Sequence, residues 1–357
     1  MPTPERILIY GMTDNLGGME SFIYNLYQNI DRTKYQFDFV CDFPKMVFEN
    51  YYLEQGSKIY YVPPKNKGIF KHLFSMFKVI RENNYRTIYF NIMNAGYAIN
   101  MIPAFILGKK IIAHSHNAGT SKVRLHNSCK NLLNFISTTK LACSNSAGQF
   151  MFGEKEKFTV INNGIDLSKY LFSEKRYDEK RQALSWKDKK VVLYVARMDQ
   201  QKNPDFVLNI MKVINGIDSN IYLAYVGTGI LKEHIINRVN NEHIKNIEFL
   251  GIRNDINELM NAADLFILPS LYEGLPITAI EAQASGLNSL LSNKITSDVK
   301  LLETTEMLSI DSPELWANKI IGIINKNNKE TRKYANNEIS KAGYDISETV
   351  KKVESYL

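Results

Sequence analysis

The amino-acid sequence predicts an α/β protein made of two doubly wound parallel-sheet domains that face each other across a cleft. A length of 357 residues exceeds what one ordinary core organises and suits two domains of about 150–200 residues each. Short apolar runs alternate with segments of helical periodicity, which is typical of parallel sheets covered by helices on both faces. The alternation breaks off near residue 163 and resumes near residue 190.

In the N-terminal half, nearly continuous apolar runs predict strands, and amphipathic patterns predict the helices between them. The predicted strands are residues 7–10, 37–40, 59–62, 87–92, 111–113 and 141–143. Helices are predicted at residues 20–30 and 69–81, with a further helical stretch between the last two strands.

The C-terminal half repeats this rhythm. The predicted strands are residues 191–196, 221–226, 247–250 and 265–268, and a predicted helix at 204–214 opens with a proline. Residues 163–188 are polar and charged with little periodicity, so they are predicted to connect the domains. Ile346, Val350 and Val353 form an apolar stripe that predicts a helix near the C-terminus.

The composition narrows the class of protein. No apolar run approaches the roughly 20 residues that span a membrane, and the first residues lack the apolar stretch of a signal peptide. Three cysteines at irregular spacing fit reduced thiols, so a cytoplasmic protein is expected. The net charge of +7 is spread along the chain without a nucleic-acid motif, and no nucleic-acid partner is expected.

The most specific chemical pattern is Glu273-Gly274-Leu275-Pro276, followed by Glu281. A strand, a turn and a helix start are predicted here, and free backbone N–H groups at a helix start attract phosphate. The two carboxylates can accept hydrogen bonds from sugar hydroxyls. The alternative is that Glu273 caps the helix and Glu281 faces solvent.

Two cations and a glycine pair accompany this pattern. Arg197 and Lys202 follow a predicted strand, where they could neutralise a leaving diphosphate; the alternative is two ordinary surface charges. Gly17 and Gly18 lie between the first strand and its helix, where the backbone can approach a phosphate or sugar closely. A Gly-Gly turn at such a position is also common without any ligand.

With these motifs in order along nearly the whole chain, the sequence resembles the family 4 retaining glycosyltransferases of GT-B fold, which has two Rossmann-like domains. The likeness is to bacterial members that build capsular polysaccharide or exopolysaccharide. It is carried by Gly17-Gly18-Met19-Glu20, His114-Ser115-His116, Val160 to Asp166, Arg197 with Lys202, Val226-Gly227-Thr228-Gly229, Phe249-Leu250-Gly251, and Glu273 to Glu281. The glutamate pair with Gly-Leu-Pro after its first member is the most specific of these.

The resemblance implies a donor and an acceptor side. Residues 1–163, with a crossover helix at about 344–357, would form the acceptor-side domain, and residues 164–343 would bind the nucleotide-sugar donor. The implied catalytic residues are Glu273, His116, Arg197 and Lys202. The implied donor-binding residues are Gly17, Gly18, Arg197, Lys202, Gly227, Gly251, Arg253, Glu273, Gly274, Leu275, Pro276 and Glu281.

Individual roles follow from the same resemblance. Arg197 and Lys202 would hold the diphosphate, Glu281 the ribose hydroxyls, and Glu273 the transferred sugar. Residues 251–255 would lie against the base. His116 would stand near the reacting carbon; its alternative is a core histidine satisfied by backbone. A front-face reaction and a short-lived covalent intermediate both stay open.

The implied partners are a nucleoside-diphosphate sugar, a UDP-sugar in particular, and a glycan or lipid-linked acceptor. Neither an Asp-x-Asp pair nor a metal-spaced His/Cys cluster is present, so no metal and no cofactor are expected. A non-catalytic nucleotide-sugar-binding subunit and a nucleotide-sugar epimerase of similar fold are the alternative functions.

An anionic membrane surface is a further expected partner of a protein at the inner face of the cell membrane. Two segments mix basic with apolar residues, and each basic residue near anionic lipid contributes about 1 kcal/mol. They comprise Lys65, Lys67, Ile69, Phe70, Lys71, Leu73, Phe74, Phe77, Lys78 and Arg81, and then Lys122, Arg124, Lys130, Leu132, Leu133 and Phe135. The alternative is a pair of ordinary surface helices.

Overall fold

A computed structural model describes residues 3–15, 17–326 and 329–357. Leu16, inside the predicted glycine turn, and the first two residues, which entered the signal-peptide argument, lie outside these ranges. The chain forms two compact units: Met1–Ile165 with Tyr344–Leu357, and Asp166–Gly343.

The first unit contains a seven-stranded parallel sheet in the order β3-β2-β1-β4-β5-β6-β7. Its strands are β1 Glu5–Tyr10, β2 Tyr35–Cys41, β3 Ile59–Tyr61, β4 Thr87–Ile92, β5 Lys110–Ser115, β6 Thr139–Ala142 and β7 Thr159–Val160. Every strand predicted for this half is present. The two-residue β7 was not predicted, because it is too short to show a period.

Helices separate these strands. They are α1 Gly18–Asn29, α2 Glu49–Glu54, α3 Ile69–Glu82, α4 Ala98–Ile106, α5 Val123–Ile136 and α6 Asn145–Phe152. Both faces of the sheet are therefore covered, which explains the continuous apolar runs. In β1, Ile7 and Ile9 pack with residues of α1, whereas Leu8 and Tyr10 pack with residues of α3 and α4 on the other face.

The second unit contains a six-stranded sheet in the order β10-β9-β8-β11-β12-β13, also parallel. Its strands are β8 Lys190–Val195, β9 Ile221–Val226, β10 Ile247–Gly251, β11 Leu265–Leu268, β12 Ser289–Ser292 and β13 Thr305–Leu308. The first four were predicted. Strands β12 and β13 were missed because serine, threonine and glutamate interrupt their apolar residues.

The helices of this unit correct one prediction. They are α7 Glu174–Ala183, α8 Pro204–Asn215, α9 Lys232–Asn241, α10 Ile256–Ala262, α11 Ile277–Ala284, α12 Pro313–Asn325 and α13 Arg332–Lys341. Helix α7 lies inside the stretch predicted to connect the domains. It buries only Tyr177 and Arg181, and Arg181 Nη1 lies 3.0 Å from Asp264 Oδ2. A helix anchored by an ion pair shows no apolar periodicity, so the sequence pattern concealed it.

The last helix, α14 Ile346–Glu354, belongs to the first unit and packs against α1. Ile346, Val350 and Val353 are buried in the same apolar cluster as residues of α1 and β1. Two backbone hydrogen bonds fix the start of α14: Ile165 N donates to Tyr344 O at 2.9 Å, and Ile346 N donates to Ile165 O at 3.0 Å. Among the helices described here, none is long and apolar enough to cross a membrane.

Candidate active site

In the second unit, the predicted donor residues gather at one edge of the sheet. Arg197 follows β8, Gly227 follows β9, Gly251 ends β10, and Glu273 follows β11. These strands are neighbours in the sheet and run parallel. Their carboxyl ends therefore share an edge, which is where ligands bind in open α/β sheets.

The centre of this edge is an ion pair between Lys202 and Glu273. Lys202 Nζ contacts Glu273 Oε1, and both side chains are mostly buried, with 15% and 9% of their surface exposed. Ser270 Oγ donates to the same carboxylate oxygen at 2.9 Å, and Gln201 Nε2 donates to the other oxygen at 3.3 Å. Glu273 is thus fixed by three donors and does not cap the following helix.

The loops that carry this pair are tied to each other. Leu271 N donates to Gln201 O at 2.8 Å, and Gln201 Nε2 donates to Tyr272 O at 2.9 Å. Asn203 Nδ2 adds a bond to Pro269 O at 3.2 Å. The sequence analysis missed Gln201 and Ser270, although each lies within three residues of a predicted site residue.

Arg197 is more accessible than Lys202. Its guanidinium lies 3.1 Å from Asp199 Oδ2, and 59% of the side chain is exposed. Asp199 also accepts from Lys202 N at 3.1 Å, so one carboxylate organises the segment that bears both cations. An exposed guanidinium and a mostly buried ammonium on the same segment can bind a diphosphate at two points.

Gly227 has a steric role. Its φ is +134°, and a Cβ there would lie 2.0 Å from Ala196 O. Only glycine permits the loop after β9 to approach the end of β8 this closely. Gly227 N donates to Gly251 O at 2.8 Å, which joins β9 to β10 at the same edge.

Arg253 is held by a neighbouring acid. Its Nε and Nη2 donate to Asp255 at 2.8 and 2.6 Å, and Lys180 also contacts Asp255. The hydrogen bond from Arg253 is the main reason that the pKa of Asp255 lies well below its usual range. Arg253 therefore keeps a fixed orientation after β10.

The structure corrects the predicted start of the helix after Glu273. Helix α11 begins at Ile277, and Pro276 is its N-cap residue. Gly274 and Leu275 therefore lie in the loop before the helix, and the helix begins three residues after Gly274. Pro276 has no backbone N–H to donate. The N–H groups of Gly274 and Leu275 therefore belong to the loop and are not among the free N–H groups of the first helical turn.

Glu281 lies on α11 and contacts Tyr170. The Tyr170 hydroxyl donates to Glu281 Oε1 at 2.6 Å. Burial of the carboxyl raises the pKa of Glu281 to about 7, and the Tyr170 hydrogen bond opposes that rise. The residue keeps partial solvent contact, but its carboxyl is not the freely hydrated group of the solvent-facing alternative.

In the first unit, Gly17 and Gly18 open α1, and Gly17 is its N-cap residue. Space around Gly18 is open, whereas a Cβ at Gly17 would lie 2.9 Å from Glu20 Oε2. Glu20 is buried in the first turn and accepts from Thr13 Oγ1 at 2.7 Å. Among the described residues, Gly18 therefore leaves open space at the first turn of α1, whereas the Glu20 side chain lies beside Gly17.

His116 directly follows β5 and is buried. Its Nε2 lies 2.9 Å from Asn91 Oδ1, while Asn91 Nδ2 donates to Tyr10 O at 3.2 Å. Because Tyr10 O only accepts, Asn91 presents its oxygen to His116, and Nε2 carries the proton. Burial lowers the pKa of His116 to about 3, so the ring is neutral and Nδ1 is a hydrogen-bond acceptor.

The buried position agrees with the core-histidine alternative, but the ring bonds the Asn91 side chain and not backbone. Nδ1 of His116 has no hydrogen-bond partner within the described parts of the chain. The sequence analysis did not single out Asn91, which is the second-last residue of β4. Across residues 3–15, 17–326 and 329–357, no group of three His, Cys, Asp or Glu side chains is placed to hold a metal ion.

Comparison with known proteins identifies the family. The model described as Glycosyltransferase Family 4 matches residues 16–169, and the model described as Glycosyl transferases group 1 matches residues 176–341. EpsF of Bacillus subtilis, named as a glycosyltransferase, is 29% identical over 353 residues, which cover 94% of this chain and 92% of that protein.

An Escherichia coli relative is 27% identical over 265 residues, or 68% of each chain; its name is UDP-Gal:alpha-D-GlcNAc-diphosphoundecaprenol alpha-1,3-galactosyltransferase. Among solved structures, Anabaena HepE in complex with UDP-glucose superposes with a TM-score of 0.78 at 20% identity, covering 99% of this chain and all of the other. That likeness concerns the fold. The chain belongs to the nucleotide-sugar glycosyltransferases of GT-B fold, with a family 4 domain in its first half and a group 1 domain in its second.

Proposed function

We propose that this protein is a retaining glycosyltransferase that moves a sugar from a UDP-sugar to a glycan or lipid-linked oligosaccharide in cell-surface polysaccharide synthesis. The observation that carries the proposal is the buried Lys202–Glu273 pair, held by Gln201 and Ser270 at the carboxyl edge of the second sheet. UDP is favoured because the named E. coli relative uses UDP-Gal and the Anabaena structure contains UDP-glucose.

The second unit would bind the donor. Arg197 is exposed enough to meet a diphosphate, and Lys202 would share its charge between the phosphate and Glu273. Glu281 would accept hydrogen bonds from the ribose, and residues 251–255 would lie against the base. The loop amides of Gly274 and Leu275, with Pro276 fixing the helix start behind them, would face the phosphate or the sugar.

The first unit would serve the acceptor side. Gly17 and Gly18 would let a phosphate or sugar approach the start of α1, and His116 Nδ1 would accept a hydrogen bond from a sugar or acceptor hydroxyl. Its low pKa makes His116 a weak base. Glu273 is neutralised by Lys202, which disfavours it as a nucleophile. Both features support a front-face reaction in which the leaving phosphate takes the acceptor proton.

The first prediction separates the roles of the donor residues. Arg197→Ala and Lys202→Ala remove cations where negative charge grows, so the saturated transfer rate should fall on the order of 100- to 1000-fold, or about 3–4 kcal/mol. Glu281→Ala should mainly weaken binding of UDP. Glu273→Ala should damage transfer more than UDP binding, because it touches the sugar.

The measurement is UDP affinity and transfer rate by the purified chain, with Lys187→Ala as an exposed control in the same unit. Equal losses of UDP affinity in Glu273→Ala and Glu281→Ala would contradict the division of sugar and ribose. Full transfer by all four variants would place the active site elsewhere. Absence of any transfer by the wild-type chain would favour a non-catalytic binding subunit.

The second prediction concerns pH. An ionised carboxylate accepts the ribose hydroxyls better than a neutral one, so donor binding should favour ionised Glu281. Affinity for a UDP-sugar should weaken as pH falls below about 7, by up to about tenfold per unit. Glu281→Gln should lack this dependence, and titration calorimetry from pH 5.5 to about 8.5 measures both.

The stability of the ligand-free protein should depend on pH in the opposite direction to donor affinity. The folded-state pKa of Glu281 is raised from 4.5 to about 7, so the folded state holds the proton more tightly than the unfolded state. Wild-type stability should therefore fall relative to Glu281→Gln as pH rises from 4.5 through about 7. Tyr170→Phe, which removes the opposing hydrogen bond, should move that loss to higher pH. Parallel stability curves for wild type and Glu281→Gln would contradict the assignment.

The third prediction is metal-independent turnover. Two cations, Arg197 and Lys202, stand where a metal would otherwise neutralise the diphosphate. A chelator such as EDTA should leave the transfer rate within about twofold of its starting value. Complete loss of transfer, restored by manganese, would contradict this proposal.

We also propose that the first unit binds the anionic inner surface of the cell membrane. Exposed aromatic rings lie on α3 and α5, namely Phe70 at 84%, Phe74 at 71% and Phe135 at 75% exposure. Helix α4 packs beside both helices and adds exposed Phe105 and Ile106, which the sequence analysis did not include. These five residues form the apolar face. Exposed Lys71, Lys78 and Arg81 accompany it on α3, whereas Leu133 is buried in the core.

The fourth prediction tests the apolar face. The protein should co-sediment with phosphatidylglycerol vesicles at low salt and dissociate as salt rises, because the basic residues act through screened charge. Phe70→Ser with Phe74→Ser should weaken vesicle binding at least about tenfold, given roughly 1.5–3 kcal/mol for each buried phenylalanine. Ile230→Ser, which changes an apolar residue of the second unit that is 90% exposed, is the control. No binding at low salt would exclude membrane contact.

A further inference from the structure

Asn91 is a fully buried amide that bonds the candidate catalytic histidine, His116. It lies on β4, which pairs with β1 on one side and with β5 on the other. Its Oδ1 lies 2.9 Å from Nε2 of His116, directly after β5, and its Nδ2 donates to Tyr10 O of β1 at 3.2 Å. One amide therefore connects the ends of three adjacent strands at the carboxyl edge of the first sheet.

The Tyr10 carbonyl determines which way this amide points. A carbonyl oxygen only accepts hydrogen bonds, so the NH2 group of Asn91 faces Tyr10 and Oδ1 faces His116. A flipped amide would set its oxygen against Tyr10 O. Its NH2 group would then require an unprotonated Nε2 and hence a proton on Nδ1 of the neutral His116 ring. The orientation of Asn91 therefore sets which ring nitrogen of His116 carries the proton.

Gly11 holds the end of β1 close to Asn91. Its φ is +110°, and a Cβ at this residue would lie 2.4 Å from Asn91 O and 3.0 Å from Asn91 Cβ. Only glycine lets the chain after β1 pass this near to the end of β4. The close approach keeps the Tyr10 carbonyl within hydrogen-bond reach of the Asn91 amide.

The His116 ring has one nitrogen left for a substrate. Phe22 and His114 pack against it, with ring centres 5.4 and 4.2 Å away, and 9% of His116 is exposed. Burial lowers the pKa of His116, so the ring is neutral. Among the residues that the structure describes, Nδ1 has no hydrogen-bond partner. A buried acceptor without a partner is rare and indicates a bound hydroxyl or water.

We propose that Asn91 is a positioning residue that holds His116 with its proton on Nε2, so that Nδ1 can only accept a hydrogen bond and selects a substrate hydroxyl. Asn91 touches no substrate and acts through His116 alone. A substrate group that only accepts, such as an ether oxygen, is rejected at this position because both atoms present lone pairs. This inference rests on the proposed function and adds to it a residue that none of the sequence motifs contains.

A double-mutant cycle of Asn91→Leu and His116→Ala tests the inference. Asn91→Leu removes both hydrogen bonds of the amide, so the saturated transfer rate should fall about 10- to 100-fold as the His116 ring loses its fixed geometry. In the His116→Ala background the same substitution should change the rate less than about twofold, because the residue through which Asn91 acts is absent. UDP affinity should stay within about twofold of wild type in every variant, because UDP lacks the transferred sugar.

Asn100→Leu is the matched control, because Asn100 is a fully buried asparagine of α4 in the same unit. It should lower the thermal midpoint and leave the saturated rate within about twofold of wild type. A loss of rate in Asn100→Leu equal to that in Asn91→Leu would assign both losses to general destabilisation and would overturn the inference. Equal losses from Asn91→Leu in the wild-type and His116→Ala backgrounds would overturn it as well.

The wild-type protein gives a second test that depends on no substitution at Asn91. Nitrogen NMR of the chain labelled with ¹⁵N-histidine should show, at neutral pH, a His116 ring with its proton on Nε2 and none on Nδ1. The His116 signals are those that His116→Ala lacks. A proton on Nδ1 overturns the inference. Absence of transfer by the wild-type chain would instead contradict the proposed function, and the position of the proton is measured independently of that outcome.

Discussion

Parallel strand pairing is the constraint on which both candidate sites depend. A parallel sheet brings the loop after every strand to the same edge, so residues far apart in sequence become neighbours without any direct attraction. In the second unit, β8 and β11 pair side by side, although α8, β9, α9, β10 and α10 separate them in the chain. That pairing alone brings Lys202 within reach of Glu273.

The Lys202–Glu273 ion pair then balances the charges that are buried at this edge. A carboxylate with 9% of its surface exposed has lost most of its hydration, and removing its cation would leave an unpaired charge at a cost of about 3–5 kcal/mol. Ser270 and Gln201 also donate to this carboxylate, so with Lys202 it has three donors. Glu273 keeps two donors besides Lys202, so it would stay in place if Lys202 turned part of its charge toward a bound anion, as the proposed function requires.

The sequence was sufficient for most of the framework because fully buried strands leave continuous apolar runs. Residues 87–92, 221–226 and 265–268 were predicted with the bounds that β4, β9 and β11 have. Helix α7 was missed because its anchor is Arg181 bonded to Asp264, which resembles a solvated surface in sequence. Strand β13 was missed because its four residues begin with Thr305 and Glu306 and only two of them are apolar.

The site residues were predicted through motifs, whereas their partners were not. Gln201, Tyr170 and Asn91 act by hydrogen bonds to residues of other elements, which no spacing rule encodes. Ser270 bonds Glu273 within one loop, and the conformation of that loop could not be predicted from the sequence. The helix start at Ile277 was displaced for a local reason: Pro276 occupies the cap, so the chain turns helical only after it.

The return of α14 to the first unit gives this chain an unusual order of synthesis and folding. The apolar cluster beneath α1 includes Ile346, Val350 and Val353, which a ribosome delivers after the whole of Asp166–Gly343. The second unit has all its residues before the first unit has its last helix. Domains generally fold as units during synthesis. The first unit must therefore wait with part of its core uncovered, and a chaperone that shields the apolar surface of α1 would have the whole translation time of the second unit in which to act.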